Sequence, residues 1–399
     1  MVSLHFNCRD IIRSTRLAFS FQRLWIQFVG LLLGYLVYVI LTYVSLVLGG
    51  QNAGMIWSRL GLLPGIIGVG LPWYSLAVYG LGVLALVYAW FVTATGVARA
   101  TYMHLKGNAF YSWKEAMAFA LKKKGGAVIS TPVAILAIAF FTVLGGYVVG
   151  LLGRIPYVGE IGLSVFSIIW YIASLFLVFV LAALAVSIIL TPAVLATTDD
   201  DAFEGIFQSF SMLFSQPWRL IFYELLLIIL AVLGFGVFAF VAKKAWIVMN
   251  SVIAVGMGEK YITLSYAASG MLERWVYPAV VWSNSVLGDY AGYIFFSQQF
   301  ANIALSPATM TISAYIFAVC LSLIGGYIMC YPLAIFNAGN SVIFMILKKI
   351  KDDENLLDRK DREEEEDMED EYAEPVAQPA VPNKPAAKKP AARKKSSKK

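Results

Sequence analysis

Long apolar runs almost free of charge constrain this chain more than any other feature. They lie at about 25–48, 73–98, 127–152, 161–190, 220–241 and 311–347. A hydrocarbon layer about 30 Å thick is crossed by roughly 20 helical residues, and every run reaches that length. Inside lipid no water is available to the backbone amides. A helix, which bonds its own N–H and C=O groups, is therefore the expected form of each run. The expected fold is all-α: a polytopic integral membrane protein of about six transmembrane helices.

Composition agrees. Apolar residues make up 59% of the chain and charged ones 14%, about half the charged share of a soluble domain. Of the 25 acidic residues, 14 fall in the last fifty positions, so the body of the chain is poorer in charge than the totals imply. Trp25, Trp73 and Trp218 stand at run ends, where an indole can keep one edge in the headgroup layer. The three cysteines, Cys8, Cys320 and Cys330, form no disulfide framework or metal spacing; the last two share one predicted helix, too far apart to bridge. The first run is full length and reads as a retained span, not the short core of a cleaved signal.

Lysine and arginine in short loops set orientation. Arg9, Arg13, Arg16 and Arg23 precede the first run; Arg99, Lys106, Lys114, Lys122, Lys123 and Lys124 follow the second; Lys348, Lys349 and Lys351 follow the last. The alternate connections hold only Arg59 and Arg154. Both termini are thus expected in the cytoplasm of a cell with an inner or plasma membrane. The chain divides into a transmembrane domain over 1–350, with a long extracytoplasmic connection at 242–310, and a disordered charged cytoplasmic tail over 351–399. Lys243, Lys244, Lys260 and Arg274 in that connection run against the charge rule, which long loops escape. Its apolar stretches at 252–257 and 276–282 leave room for further embedded helices.

Short amphipathic helices are predicted before alternate runs. Ser112-Trp113-Lys114-Glu115 reads as a capping box opening a helix to about Lys124, and Asp201-Ala202-Phe203-Glu204 opens one to about Phe214. In such a box the first side chain and the glutamate satisfy each other's backbone amides. Segments 112–145 and 201–234 align without a gap at an offset of 89, pairing Glu115 with Glu204 and Val143-Leu144-Gly145 with Val232-Leu233-Gly234. Asn7-Cys8-Arg9-Asp10 follows a similar plan. The expectation is an internal repeat: three hairpins, each preceded by an interfacial helix. Lys122, Lys123 and Lys124 are the candidate lipid-contacting residues, set to meet anionic headgroups. Asp199, Asp200 and Asp201 read as helix-dipole partners, and no metal site is expected.

The segment Asp201-Ala202-Phe203-Glu204-Gly205-Ile206-Phe207-Gln208-Ser209-Phe210, followed by Gln216-Pro217-Trp218-Arg219-Leu220 and an apolar run, resembles a pattern in poorly characterised bacterial multi-spanning proteins. It is similar to the membrane domain that accompanies some glycerophosphoryl diester phosphodiesterases. The resemblance implies a polytopic inner-membrane protein. It carries no enzymatic activity across, because the chain has only His5 and His104 and no acidic metal-binding barrel.

Glu224 is the one acidic residue well inside a run, and an ionisable group at membrane depth is a functional candidate by default. Arg219 lies near it in sequence, which suggests a structural pair. Asn337 and Asn340 add polarity to the last run, and Pro132, Pro192 and Pro332 predict bends. Gly146 with Gly150, and the Gly325-Gly326 pair, predict close helix approach. No metalloprotease, phosphate-loop or nucleophile-elbow motif is present, so no catalytic residue and no cofactor is assigned.

Beyond Lys348 the chain turns polar. Residues 352–374 are rich in acids and are expected to start as a helix continuing the last span. After Pro379 there are eight basic residues and no acidic one. That end favours anionic lipid over nucleic acid as partner.

Three functions follow. The first is a non-enzymatic envelope or assembly component, partnered by the lipid bilayer and by another membrane protein or a homo-oligomer. The second is a small-solute or ion transporter or channel, with Glu224, Asn337 and Asn340 on one polar path. The third is a membrane component of glycerophosphodiester metabolism.

Overall fold

The computed structural model describes residues 4–66, 70–108, 110–288 and 308–359. The tail beyond 359, with its expected lipid contacts, lies outside the described residues. Among these residues the fold is all-α. Its six long helices are α2 (Phe21–Leu48), α4 (Trp73–Lys106), α6 (Ala127–Leu152), α8 (Ser167–Thr198), α10 (Pro217–Met257) and α13 (Ala308–Asp352). All six are long and apolar enough to cross a membrane. Shorter helices complete the chain: α1 (Cys8–Ala18), α3 (Ala53–Leu60), α5 (Trp113–Ala118), α7 (Val158–Val165), α9 (Ala202–Ser215), α11 (Glu259–Trp275) and α12 (Tyr277–Leu287).

The predicted capping signals close their helices. Ser112 N–H donates to Glu115 Oε2 at 2.9 Å, and Glu115 N–H donates to Ser112 Oγ at 3.3 Å. Asp201 Oδ1 accepts from Glu204 N–H at 3.3 Å. In α1 the Asp10 carboxylate accepts from the backbone N–H groups of His5 and Asn7. Ser112→Ala removes one such bond and is expected to destabilise α5 by about 1 kcal/mol. Limited proteolysis after Lys122 or Lys123 reads that loss directly, as faster cleavage.

Helices pair as α2–α4, α6–α8 and α10–α13, and the second members α4, α8 and α13 pack on one another. Each short helix preceding a hairpin lies on the hairpin before it: α5 on α2 and α4, α9 on α6 and α8. Helix α1, with nothing before it, packs on α10 and α13, so the arrangement closes into a ring. Tyr331 of α13 donates to Thr15 O of α1 at 3.2 Å to seal the join.

The protein core sits at the end of the bundle where α4, α8 and α13 finish. There Val97 to Tyr102 and Val194 to Ala196 are buried, and Val342 through Leu347 are all 0% exposed. Halfway along the helices the pattern inverts: Leu33, Phe140, Val178 and Val232 are more than half exposed. A helix end buried on every side is a protein interior, whereas a belt of exposed large apolar groups is a surface made for acyl chains.

Several expectations need correction. Hydropathy falls after Ala98, yet α4 continues to Lys106, and Arg99 is a fully buried helical residue rather than a loop cation. Likewise α10 runs 41 residues and α13 runs 45, about 62 and 68 Å at 1.5 Å per residue. The supposed connection from 242 is therefore helical to Met257, and α11, joined by Trp246 of α10, packs on the first half of α13 at Ala268, Phe317 and Leu321. The acidic segment does not prolong α13. Asp353 takes φ +54° and the chain turns back, burying Leu356, whose carbonyl accepts from Tyr102 Oη at 2.9 Å. Nor do Gly146, Gly150 and Gly325 serve close packing, since a Cβ on any of them would meet open space. The tight approaches occur at Gly30, Gly34 and Gly339.

Candidate functional site

One layer across the bundle gathers most of the polar residues singled out inside the spans. Asn337 Nδ2 of α13 donates to Gln27 Oε1 of α2 at 2.7 Å. Gln27 Nε2 in turn reaches Thr93 Oγ1 of α4 at 3.4 Å. One turn along α13, the Asn340 amide, oriented with its nitrogen toward the carboxylate, donates to Glu224 Oε1 and Oε2 of α10 at 2.8 and 3.2 Å. Four helices are thus tied at one level by side chains that are all buried. Gly339 lies between the two asparagines. A Cβ there would stand 2.2 Å from Leu227 Cδ1, so a larger residue would have to displace that side chain from the contact between α10 and α13.

The layer has a definite depth. From Thr93 to Trp73, from Gln27 to Leu48 and from Glu224 to Lys243 are stretches of about 20 residues, or roughly 30 Å of helix. That is the thickness of a hydrocarbon core. Tryptophan and lysine at the far ends match the usual interface anchors. The polar layer then stands at the opposite edge, where apolar belt gives way to protein core. Interhelical hydrogen bonds in such surroundings contribute about 0.6–2 kcal/mol each. Chemically the layer is a clamp: amides and one carboxyl group satisfying each other.

The sequence expectations divide here. Glu224 meets Asn340, and Asn337, one turn away on α13, meets Gln27, while Arg219 is exposed and is not the group that meets the carboxylate. Gln27 and Thr93 are additional members.

Above the layer lies a second polar feature. Lys124 Nζ forms an ion pair with Asp199 Oδ1 at 2.8 Å and donates to Asp199 O and Asp200 O, both at 2.8 Å. The two side chains are only 9% and 4% exposed. Lys124 is therefore a structural cation between α5 and the α8–α9 turn, not a headgroup ligand; Lys122 and Lys123 do face outward. The reason is local. After Ala118 the helix widens into a π turn over Phe119–Lys123, closed by Lys124 N–H to Phe119 O at 3.1 Å. One extra residue in the turn rotates the last lysine inward. Nearby, the Arg99 guanidinium stacks over the Phe119 ring at 4.3 Å and donates to Ala196 O at 3.1 Å.

No family model, curated protein or solved structure matches this chain.

Proposed function

We propose that this chain is a non-catalytic component of an inner or plasma membrane, with both ends cytoplasmic, that works by assembly with other membrane proteins or with copies of itself. The closed interior carries this reading. The ionisable and amide groups that would line a transport path are buried and bonded to one another, which is the behaviour of a packing device. The cations around α1, α5 and the end of α13 favour the cytoplasmic placement of that face. The cyclic packing of α1, α5 and α9 on the preceding hairpins supports construction from three copies of one unit. On the opposite face, α10 and α13 run past the hydrocarbon with Val248, Val252 and Val255 exposed along one side, a surface of the kind that partners cover.

Reconstitution in proteoliposomes tests the reading. Imposed pH and cation gradients are expected to decay no faster than in protein-free vesicles. The Glu224→Gln variant should fold and melt like the parent, since an amide can still bond Asn340. A flux that the parent supports and Glu224→Gln abolishes would establish transport instead.

A further inference from the structure

We propose that α1 carries a binding site for the phosphate of anionic lipid headgroups, built on Arg9, Arg13 and Arg16. The spacing is i, i+4, i+7, which places the three side chains on one stripe of the helix, neighbours about 5–6 Å apart at Cβ. All three are exposed, while the opposite face is buried through Asp10, Ile11, Ser14 and Ala18. The stripe is fixed in place rather than tethered loosely. Asp10 is fully buried, binds the backbone at His5 and Asn7, and holds Arg13 Nη1 at 3.4 Å. Guanidinium is the side chain best matched to phosphate, offering paired donors and a charge that persists at any working pH.

The position of α1 selects lipid as the occupant. The helix packs on α10 and α13, the helices that carry Glu224 and Asn340 of the polar layer. Its C-terminal end meets both helices: an added Cβ at Gly234 would lie 3.3 Å from Thr15 Cγ2, and the Phe19 ring meets Phe238 and Tyr331 at 5.7 and 5.6 Å. The helix is thus held against α10 and α13, with its last turn tied to the start of α2 by Arg23 Nη1 donating to Leu17 O. Ile12 and Phe19 beside the arginines are 53% and 60% exposed. A face that interleaves phosphate-binding cations with bare apolar groups is complementary to the lipid surface, where headgroup phosphate and acyl chain meet. Phe21, two residues beyond Phe19 at the start of α2, is 72% exposed. This inference needs the membrane placement but not the assembly role.

The test uses the whole protein in neutral detergent, titrated with phosphatidylglycerol, phosphatidylcholine or inorganic phosphate while its thermal unfolding is followed. Phosphatidylglycerol is expected to stabilise the parent, and the other two are not. At about 1 kcal/mol per surface cation, Arg9→Gln, Arg13→Gln and Arg16→Gln together are expected to weaken the apparent affinity about 100-fold. The Arg9→Gln/Arg16→Gln pair, which leaves the Asp10 contact intact, guards against a folding defect and should weaken it about 10–30-fold. Lys122→Gln/Lys123→Gln should leave it unchanged. Equal stabilisation of parent and arginine variants would overturn the site. Equal stabilisation by inorganic phosphate would overturn the assignment to lipid.

Discussion

Changing Lys124 to alanine is expected to destabilise the protein by about 3–5 kcal/mol, the largest effect of any single charge removal. The change leaves Asp199, 4% exposed, as a buried carboxylate without its cation. It also deprives Asp199 O and Asp200 O of their shared donor. Removing one partner of a buried pair is costly because the survivor keeps its desolvation penalty. Replacing both, as Lys124→Met with Asp199→Asn, should recover the part due to the stranded charge: asparagine tolerates the left-handed φ of +56° at this position, while the carbonyls of 199 and 200 still lack their donor. Thermal unfolding of the four proteins, read as a double-mutant cycle, gives the coupling directly. A single variant as stable as the parent would show that water reaches the carboxylate. Lys122→Ala, two residues away and exposed, should change stability by less than about 0.5 kcal/mol.

A second large effect is expected from Gly34→Val. A Cβ on Gly34 would stand 2.2 Å from Ala89 Cβ. A methyl attached directly to the backbone has no rotamer by which to withdraw, so α2 and α4 must move apart. Overpacking of this kind costs about 3 kcal/mol where nothing can yield. Here the damage should spread, because Gln27 and Thr93 lie within two turns of the contact and meet at only 3.4 Å. Detergent-solubilised Gly34→Val is expected to lose its monodisperse peak in gel filtration. Gly146→Val, on a helix face with open space around it, should elute like the parent. Two similar elution profiles would mean that α2 and α4 are not held as closely as described.

These two sites also show what the amino-acid order revealed and what it hid. The spans were legible because hydropathy over some twenty residues is a strong signal. The short helices α1, α5 and α9 were legible from capping chemistry, and Glu224, Asn337 and Asn340 from the rarity of such groups at membrane depth. Lys124 was misjudged because one π turn, invisible in a run of three lysines, decides which of them turns inward. Arg99 was placed in a loop because a hydropathy window ends where charge begins, although α4 continues inside protein rather than lipid. The partners of the asparagines escaped for different reasons. Gln27 sits close to a span end, where polarity is ordinary. Thr93 hides its hydroxyl by bonding back to Ala89 O, as threonines in apolar helices do. Glycine spacing misled outright: Gly146 and Gly150 match a familiar contact pattern, but close approach depends on what stands opposite, which only the fold supplies.

The closure of the ring through α1 has a kinetic consequence. Thr15 finds its acceptor role only when Tyr331 arrives, 316 positions later in the chain. At 5–20 residues per second of synthesis, that is roughly 15–60 s during which the first helix has emerged from the ribosome without its final neighbours. A C-terminally truncated nascent chain carrying Ser14→Cys, at a position buried in the complete fold, should therefore leave that thiol open to modification, and full-length release should be the moment at which this end of the protein locks.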